Sequence, residues 1–354
     1  MADYGAKIQE LADIVVKEGA SDLHITAGRS PTLRITGSLI PLVKEAPLTA
    51  EDTKGLTLAL MQPDAGKQFL LDKEIDFSYT SASGERFRGN AFFQRGVIGS
   101  TLRHIPKKIR TIEELNLPQV LVDFCRKKQG FFMVVGPVGQ GKSTTLAAMI
   151  DKINHERAEH IVTIEDPVES LFTPDKSIID QREVRFDTKD FHIALRSMFR
   201  QDVNVALIGE MRDSETIATA VTAAETGHLI FSTLHTNNAA QTIDRIIDSF
   251  PAGQQGQIRV QLAGSLLGIF SQRLVPRISG GLIPAYELLI NNSASANLIR
   301  EGRTAEISVV IETGSDIGMI DMNRSLAELV RRGEISSDEA YTHSFNPKGL
   351  ERLI

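Results

Sequence analysis

Hydrophobic and polar positions follow two different rhythms along this chain, and the change falls near residue 119. Before it, apolar residues come in short, broken groups. Ile8, Leu11, Ile14 and Val15 recur at helical spacing in "IQELADIVVKEGA", and Gly19 suits a helix end. "SDLHI", "PTLRITGSLIPL" and "IDFSYT" read as short strands interrupted by Gly and Pro. Residues 85–105, "ERFRGNAFFQRGVIGSTLRHI", predict two more strands with a turn near Gly96. Residues 1–105 therefore read as a small α+β domain. The stretch "PKKIRTIEELNLP", 106–118, is polar and flanked by prolines, and reads as a linker. From 119 to 354, strand-sized apolar runs alternate with helical patterns, which predicts an α/β domain with a parallel sheet.

Four of those runs end in a chemically distinctive residue. "FFMVV" enters a loop at Gly136, "IVTI" leads to Glu165 and Asp166, "VALI" to Gly209 and Glu210, and "LIFSTL" to His235. In open α/β sheets, ligands bind beyond the carboxyl ends of the strands. A loop, two acids and a histidine delivered to one edge predict a single site.

The loop "GPVGQGKS", 136–143, fits G-x-x-x-x-G-K-[ST] between a strand and a helical pattern. Backbone N–H groups from Gly136, Gly139, Gln140, Gly141 and Thr144 would curl around phosphates, helped by the partial positive charge of the helix start. Lys142 would reach the β- and γ-phosphates of ATP, and the Ser143 hydroxyl would bind Mg²⁺. Glu210 is placed to polarise the attacking water as a general base, and Glu165 to share metal or water positioning. Either acid would alternatively cap the helix that follows. His228 and His235 flank the fourth strand in "GHLIFSTLHTN", where an imidazole would sense the γ-phosphate or simply be structural. Arg88, Arg95 and Arg103 lie in the small first domain. They are either trans-acting fingers on a neighbour's nucleotide or a solvated basic strand face.

Composition narrows the class. The 354 residues are 42% hydrophobic and 24% charged, and the longest apolar runs are strand-sized, well short of a membrane span. The N-terminus lacks a signal-peptide layout, so a cytoplasmic protein is expected. A single cysteine, Cys125, excludes an internal disulfide and a multi-cysteine zinc site, and reads as a buried thiol. The net charge of −6, the absence of Trp and only four Tyr argue against a nucleic-acid channel.

Together the motifs resemble the secretion ATPase superfamily, and within it the type IV pilus retraction branch. The stretches that carry the resemblance run nearly end to end: "ASDLHI" at 20–25, "FRGNAF" at 87–92, "GPVGQGKSTTLAAM", "IVTIEDPVE", "QREV", "LIGEMRD", "TAAETGHLIFSTLHTN", "TIDRIID" and "NLIREGR" at 297–303. The resemblance implies a RecA-like P-loop ATPase domain preceded by a PAS-like domain, arranged as a homohexameric ring with ATP and Mg²⁺ bound between subunits. It implies a pilus platform protein of the inner membrane as partner, with the ring peripheral at the membrane's cytoplasmic face and a paralogous retraction ATPase alongside. Glu165, Glu210, His228 and His235 match the family's acidic and histidine boxes, and Arg88 and Arg103 its intersubunit arginines. The chain departs from the family pattern in three places. Val203 and Asn204 stand where an acidic segment is usual, and Val138 and Gln140 replace Thr and Ser. "ASANLIRE" places Ser295 and Ala296 where the retraction motif has an apolar and a basic residue. A pilus-extension or secretion ATPase, a RecA-like translocase and a regulatory nucleotide-binding subunit stand as alternatives.

Overall fold

The computed structural model describes every residue except Met1, Ala2, Thr36 and Arg212. The chain divides into two units, residues 1–108 with 169–171, and 109–168 with 172–354.

In the first unit, helix α1 (Tyr4–Lys17) starts at Asp3, whose side chain accepts from the Ala6 N–H, and buries Ile8, Leu11, Ala12 and Val15. Gly19 follows it at φ 62°, the left-handed conformation that glycine adopts most easily after a helix. Strands β1 (Asp22–Ile25), β2 (Thr32–Ile35), β3 (Ser38–Pro41), β4 (Glu74–Thr80), β5 (Arg86–Gln94) and β6 (Val97–Ile105) form one sheet in the order β3-β2-β1-β6-β5-β4. Every pairing in it is antiparallel. The β5–β6 hairpin turns on Arg95 and Gly96 at φ 51° and 80°, the pair of positive angles that a tight two-residue turn requires. Between β3 and β4 lie helices α2 (Ala50–Ala59) and α3 (Pro63–Asp72). The hydrophobic pattern of residues 42–73 does not predict them. Their signals are local: a capping box between Thr49 and Asp52, and Pro63 at the start of α3.

The second unit begins inside the stretch read as linker. Ile112 and Leu117 are 1% and 6% exposed and belong to its core, so from Ile109 onward that segment is packed rather than free. Then come α4 (Val120–Cys125) and strand β7 (Gly130–Val135), followed by α5 (Lys142–Glu156), β8 (His160–Glu165), β9 (Ile178–Glu183), α6 (Phe191–Met198) and β10 (Val205–Ile208). They lead into α7 (Ser214–Glu225), β11 (Leu229–Leu234), α8 (Ala239–Asp248), α9 (Ala252–Ser265), β12 (Leu266–Pro276), β13 (Leu282–Ile290) and α10 (Ser293–Glu301). The sheet order is β13-β12-β7-β11-β10-β8-β9, parallel throughout except for the antiparallel β12–β13 edge.

Both faces of this sheet are covered, which is why its strands are continuous apolar runs. Alternation along β7 sends Phe131, Met133 and Val135 into one core and Phe132 and Val134 into the other. Cys125 lies in the second of these cores, where its thiol donates to the Leu121 carbonyl at 3.3 Å and burial pushes its pKa up to about 12. Burial and a raised pKa are the surroundings that keep a thiol unreactive. No described helix is long and apolar enough to cross a membrane.

Phe132 is fully buried with ring centroids 4.4 Å from Phe124 and 6.1 Å from Phe231. Phe132→Ala should destabilise the second unit by about 3–5 kcal/mol. Chemical denaturation read on that unit should record it, and a change below about 1 kcal/mol would mean the core refills the space.

Candidate functional site

Strands β7, β11, β10 and β8 are adjacent and parallel, and their registers align Val135 with Leu234, Ser232 with Ile208, and Ile208 with Ile164. The four candidate elements therefore emerge side by side at one edge. Two strand hydroxyls hold that edge together. Ser232 Oγ donates to the Ile208 carbonyl at 2.8 Å, and Thr233 Oγ1 to the Gly209 carbonyl at 2.7 Å.

The loop after β7 has the shape its glycines permit. Gly136, Gly139 and Gly141 have φ of 151°, 78° and 76°. A Cβ built on Gly136 would lie 2.5 Å from the Gln272 carbonyl oxygen, closer than atoms can approach. Lys142 opens α5 with its side chain folded under the loop, Nζ donating to the Gly136 and Pro137 carbonyls, each at 2.9 Å. Ser143 and Thr144 stand exposed in the first turn of α5. Gln140 is also tied to β12. Its side-chain Oε1 accepts from the Leu274 N–H at 2.7 Å and its carbonyl from Gln272 Nε2 at 2.7 Å.

His235 joins the loop to the acid. Lys142 Nζ donates to its Nδ1 at 3.3 Å, and its Nε2 lies 3.8 Å from Glu210 Oε1. An ammonium that donates to Nδ1 places the ring proton on Nε2, facing the carboxylate. Lysine, histidine and glutamate thus form a row from three different strand ends. Glu165, 8% exposed, accepts from Thr163 Oγ1 at 2.6 Å and from Gln181 Nε2 at 3.5 Å, the latter from the "QREV" stretch on β9. Glu210 and His235 also line a cleft of about 820 Å³ with Asp213, Gln241, Arg245 and Asp248.

His228 does not join this site. It precedes β11, so it lies at the opposite end of the strand from His235, about 23 Å away at ~3.3 Å per residue. Its Nδ1 donates to the Ala223 carbonyl at 3.1 Å and its ring packs edge-on against Phe199 at 5.4 Å.

Arg88 and Arg103 lie in the first unit, paired across β5 and β6 on the polar face of that sheet. Arg103 Nε donates at 2.9 Å to Asp22, itself 4% exposed, while the arginine side chain remains 66% exposed. Arg95 sits apart, at the hairpin tip.

The residues that sequence reasoning missed are on β12 and β13. Gln272 braces the phosphate loop, and its Oε1 also accepts from Thr145 Oγ1 at 2.7 Å. Glu287 accepts from the Ala239 N–H, at the start of α8, at 2.8 Å. Burial pushes the Glu287 carboxyl up to about 7, against the pull of that hydrogen bond; nearby Asp321 raises it further and Arg273 lowers it. The signal available was the polar triplet Ser271-Gln272-Arg273 closing an apolar run. Ser295 and Ala296, the departures in "ASANLIRE", are both buried. Ser295 completes the capping box of α10 with Asn292, so its place in that motif has a helix-starting reason.

A glycine cradle at a helix start, a lysine beneath it and a carboxylate beyond define a P-loop nucleotide-binding protein. The chain belongs to the type II/IV secretion system protein family, whose model matches residues 109–318. It is 44% identical, over 94% of its length and 96% of the relative's, to the type IV pilus retraction ATPase PilT of Pseudomonas aeruginosa. It is 39% identical to the type IV pilus ATPase PilU of the same organism, over 98% of this chain and 91% of that one. Among solved structures, the pilus retraction motor PilT with bound ADP superposes with a TM-score of 0.91 at 45% identity, over 98% of this chain and 99% of that one.

Two outcomes test the site. Gly136→Ala should weaken ADP binding by about tenfold or more, because the added methyl meets the Gln272 carbonyl. Isothermal titration would measure it, and unchanged affinity would mean that the loop does not need this backbone shape. Glu287→Gln keeps an oxygen for the Ala239 N–H but cannot ionise. The folded carboxyl holds its proton between its ordinary 4.5 and about 7, so its contribution is complete below 4.5 and is lost as pH rises to about 7. Relative to Glu287→Gln, the native protein should therefore lose stability across that window. Parallel stability–pH curves for the two would overturn this.

Proposed function

We infer that the chain is an ATP-hydrolysing motor that powers type IV pilus retraction. The observation that carries this reading is the Lys142–His235–Glu210 row behind the phosphate loop, in a chain alike over nearly its whole length to retraction ATPases. Lys142 neutralises the β- and γ-phosphates, and loop N–H groups with the start of α5 hold them. Glu210 accepts a proton from a water whose oxygen attacks the γ-phosphorus. The bond from that phosphorus to the β–γ bridging oxygen breaks, and ADP leaves with that oxygen. His235, between lysine and glutamate, senses the γ-phosphate.

The donors near the loop, a hydroxyl and two carboxylates, suit a hard divalent cation. No described group of three or more His, Cys, Asp or Glu side chains could hold a metal by itself, so Mg²⁺ would be shared between Ser143, the acidic edge of Glu165 and Glu210, and the phosphates. When bound it supplies charge neutralisation.

In this reading a homohexameric ring completes each site, with Arg103 and Arg88 of one copy reaching the nucleotide of the next. The buried Asp22, bonded to Arg103 Nε, leaves the terminal nitrogens free to do so. The ring acts on a pilus platform protein from the cytoplasmic face of the inner membrane, and a PilU-like paralogue shares the task.

Specific ATPase activity should rise with protein concentration and fall by about 10³-fold or more in Arg103→Ala. Glu210→Gln should abolish turnover while nucleotide still binds. Activity independent of concentration and indifferent to Arg103 would remove the intersubunit site, and a fully active Glu210→Gln would remove the general base.

A further inference from the structure

Ser271, Gln272 and Arg273 are consecutive polar residues of β12, yet they are 0%, 2% and 7% exposed. Burying a carboxamide and a guanidinium is unfavourable unless hydrogen bonds offset the lost hydration. Here those bonds run to two different loops. Gln272 turns toward the phosphate loop, where Nε2 donates to the Gln140 carbonyl and Oε1 accepts from Thr145. Its neighbours point the other way, as alternation along a strand requires. Ser271 Oγ donates to the Asn237 carbonyl at 2.7 Å, and Arg273 Nη2 donates to Asn237 Oδ1 at 2.8 Å. Arg273 Nη1 also donates to the Gln272 carbonyl at 2.9 Å. That carbonyl is the atom packed against Gly136. The Gln272 carbonyl and the Arg273 Nη1 bonded to it therefore both lie against the first glycine of the phosphate loop. Through Nη2 the same guanidinium holds the residue two positions beyond His235.

We propose that Arg273 is a positioning residue that couples the phosphate loop to His235, setting the imidazole against Lys142 and Glu210 according to the state of the loop. The proposal rests on reading this site as an ATPase centre. Arginine is required because its planar fork binds the Gln272 carbonyl and Asn237 together, whereas a lysine ammonium cannot reproduce that geometry. Gln272 has the complementary task of shaping the loop that binds phosphate. The two residues should therefore separate kinetically: Arg273 governs turnover, and Gln272 governs nucleotide affinity.

The test uses the full chain and three readouts: ADP affinity by titration, steady-state ATP hydrolysis, and the imidazole resonances of His235 by NMR with and without ADP. His235→Gln assigns those resonances. Arg273→Lys should lower kcat by about tenfold or more while ADP affinity moves less than about twofold. The ADP-induced shift of the His235 resonances should disappear. Asn237→Ala, a change at an exposed loop residue, should do the same and carries the test if Arg273→Lys does not fold. Gln272→Ala should instead weaken ADP binding. In a His235→Ala background, Arg273→Lys should cost less than about a further twofold, because both act through one group. Equal losses of affinity and turnover in Arg273→Lys would overturn the proposal. So would a His235 resonance that still follows ADP in Arg273→Lys and Asn237→Ala. Should the native protein bind ADP without hydrolysing ATP, the ATPase reading falls, while the His235 shift still decides the coupling.

Discussion

Strand β7 is hydrogen-bonded along both sides, to β11 and to β12, and buried on both faces. A strand held this way cannot slide, because a one-residue slip would exchange Phe131, Met133 and Val135 with Phe132 and Val134 and present each core with the wrong shapes. The phosphate loop leaves from its end and inherits that fixity. So does the His235 segment, whose strand is paired with β7 from Leu229 to Leu234. The site is accurate because it hangs from the most constrained part of the sheet. Its chemistry lies in short loops at the strand ends.

Polar contacts complete what the strands begin. Lys142 folds onto the carbonyls of its own loop, Gln272 braces that loop from β12, and Arg273 ties the histidine segment to the same strand. A motor needs a nucleotide that changes the geometry of its surroundings, and such a change requires differential contacts between states. The arrangement supplies a short physical route from phosphate to histidine through one peptide of β12. It also explains why a glycine with φ of 151° stands at position 136, where backbone from another strand comes within contact of any side chain.

How much of this was legible beforehand depended on whether the signal was local. The four strand ends, the glycine loop and the acids could be read because each is a short run with its own chemistry. Helices α2 and α3 carried a capping box and a first-turn proline but lay in a stretch without strong hydrophobic periodicity. The proline-flanked polar stretch at 106–118 reads as a linker, yet Ile112 and Leu117 anchor it in the second core. His228 and His235 look equivalent in sequence, six residues of strand apart. A strand of that length puts its two ends on opposite edges of the sheet, so only one of them reaches the phosphate edge.

The sequence by itself determined the fold class, the phosphate loop and the family, because apolar periodicity and glycine spacing are properties of the chain's own neighbours in order. Tertiary structure decided the rest. It set the two histidines at opposite ends of β11, bonded the Gln140 side chain to β12, and brought Gln272 and Arg273 beside the phosphate loop from the neighbouring strand. Gln272 lies more than a hundred positions from the loop it braces. No local pattern can report a contact that exists only when strands distant in the chain become neighbours in the sheet.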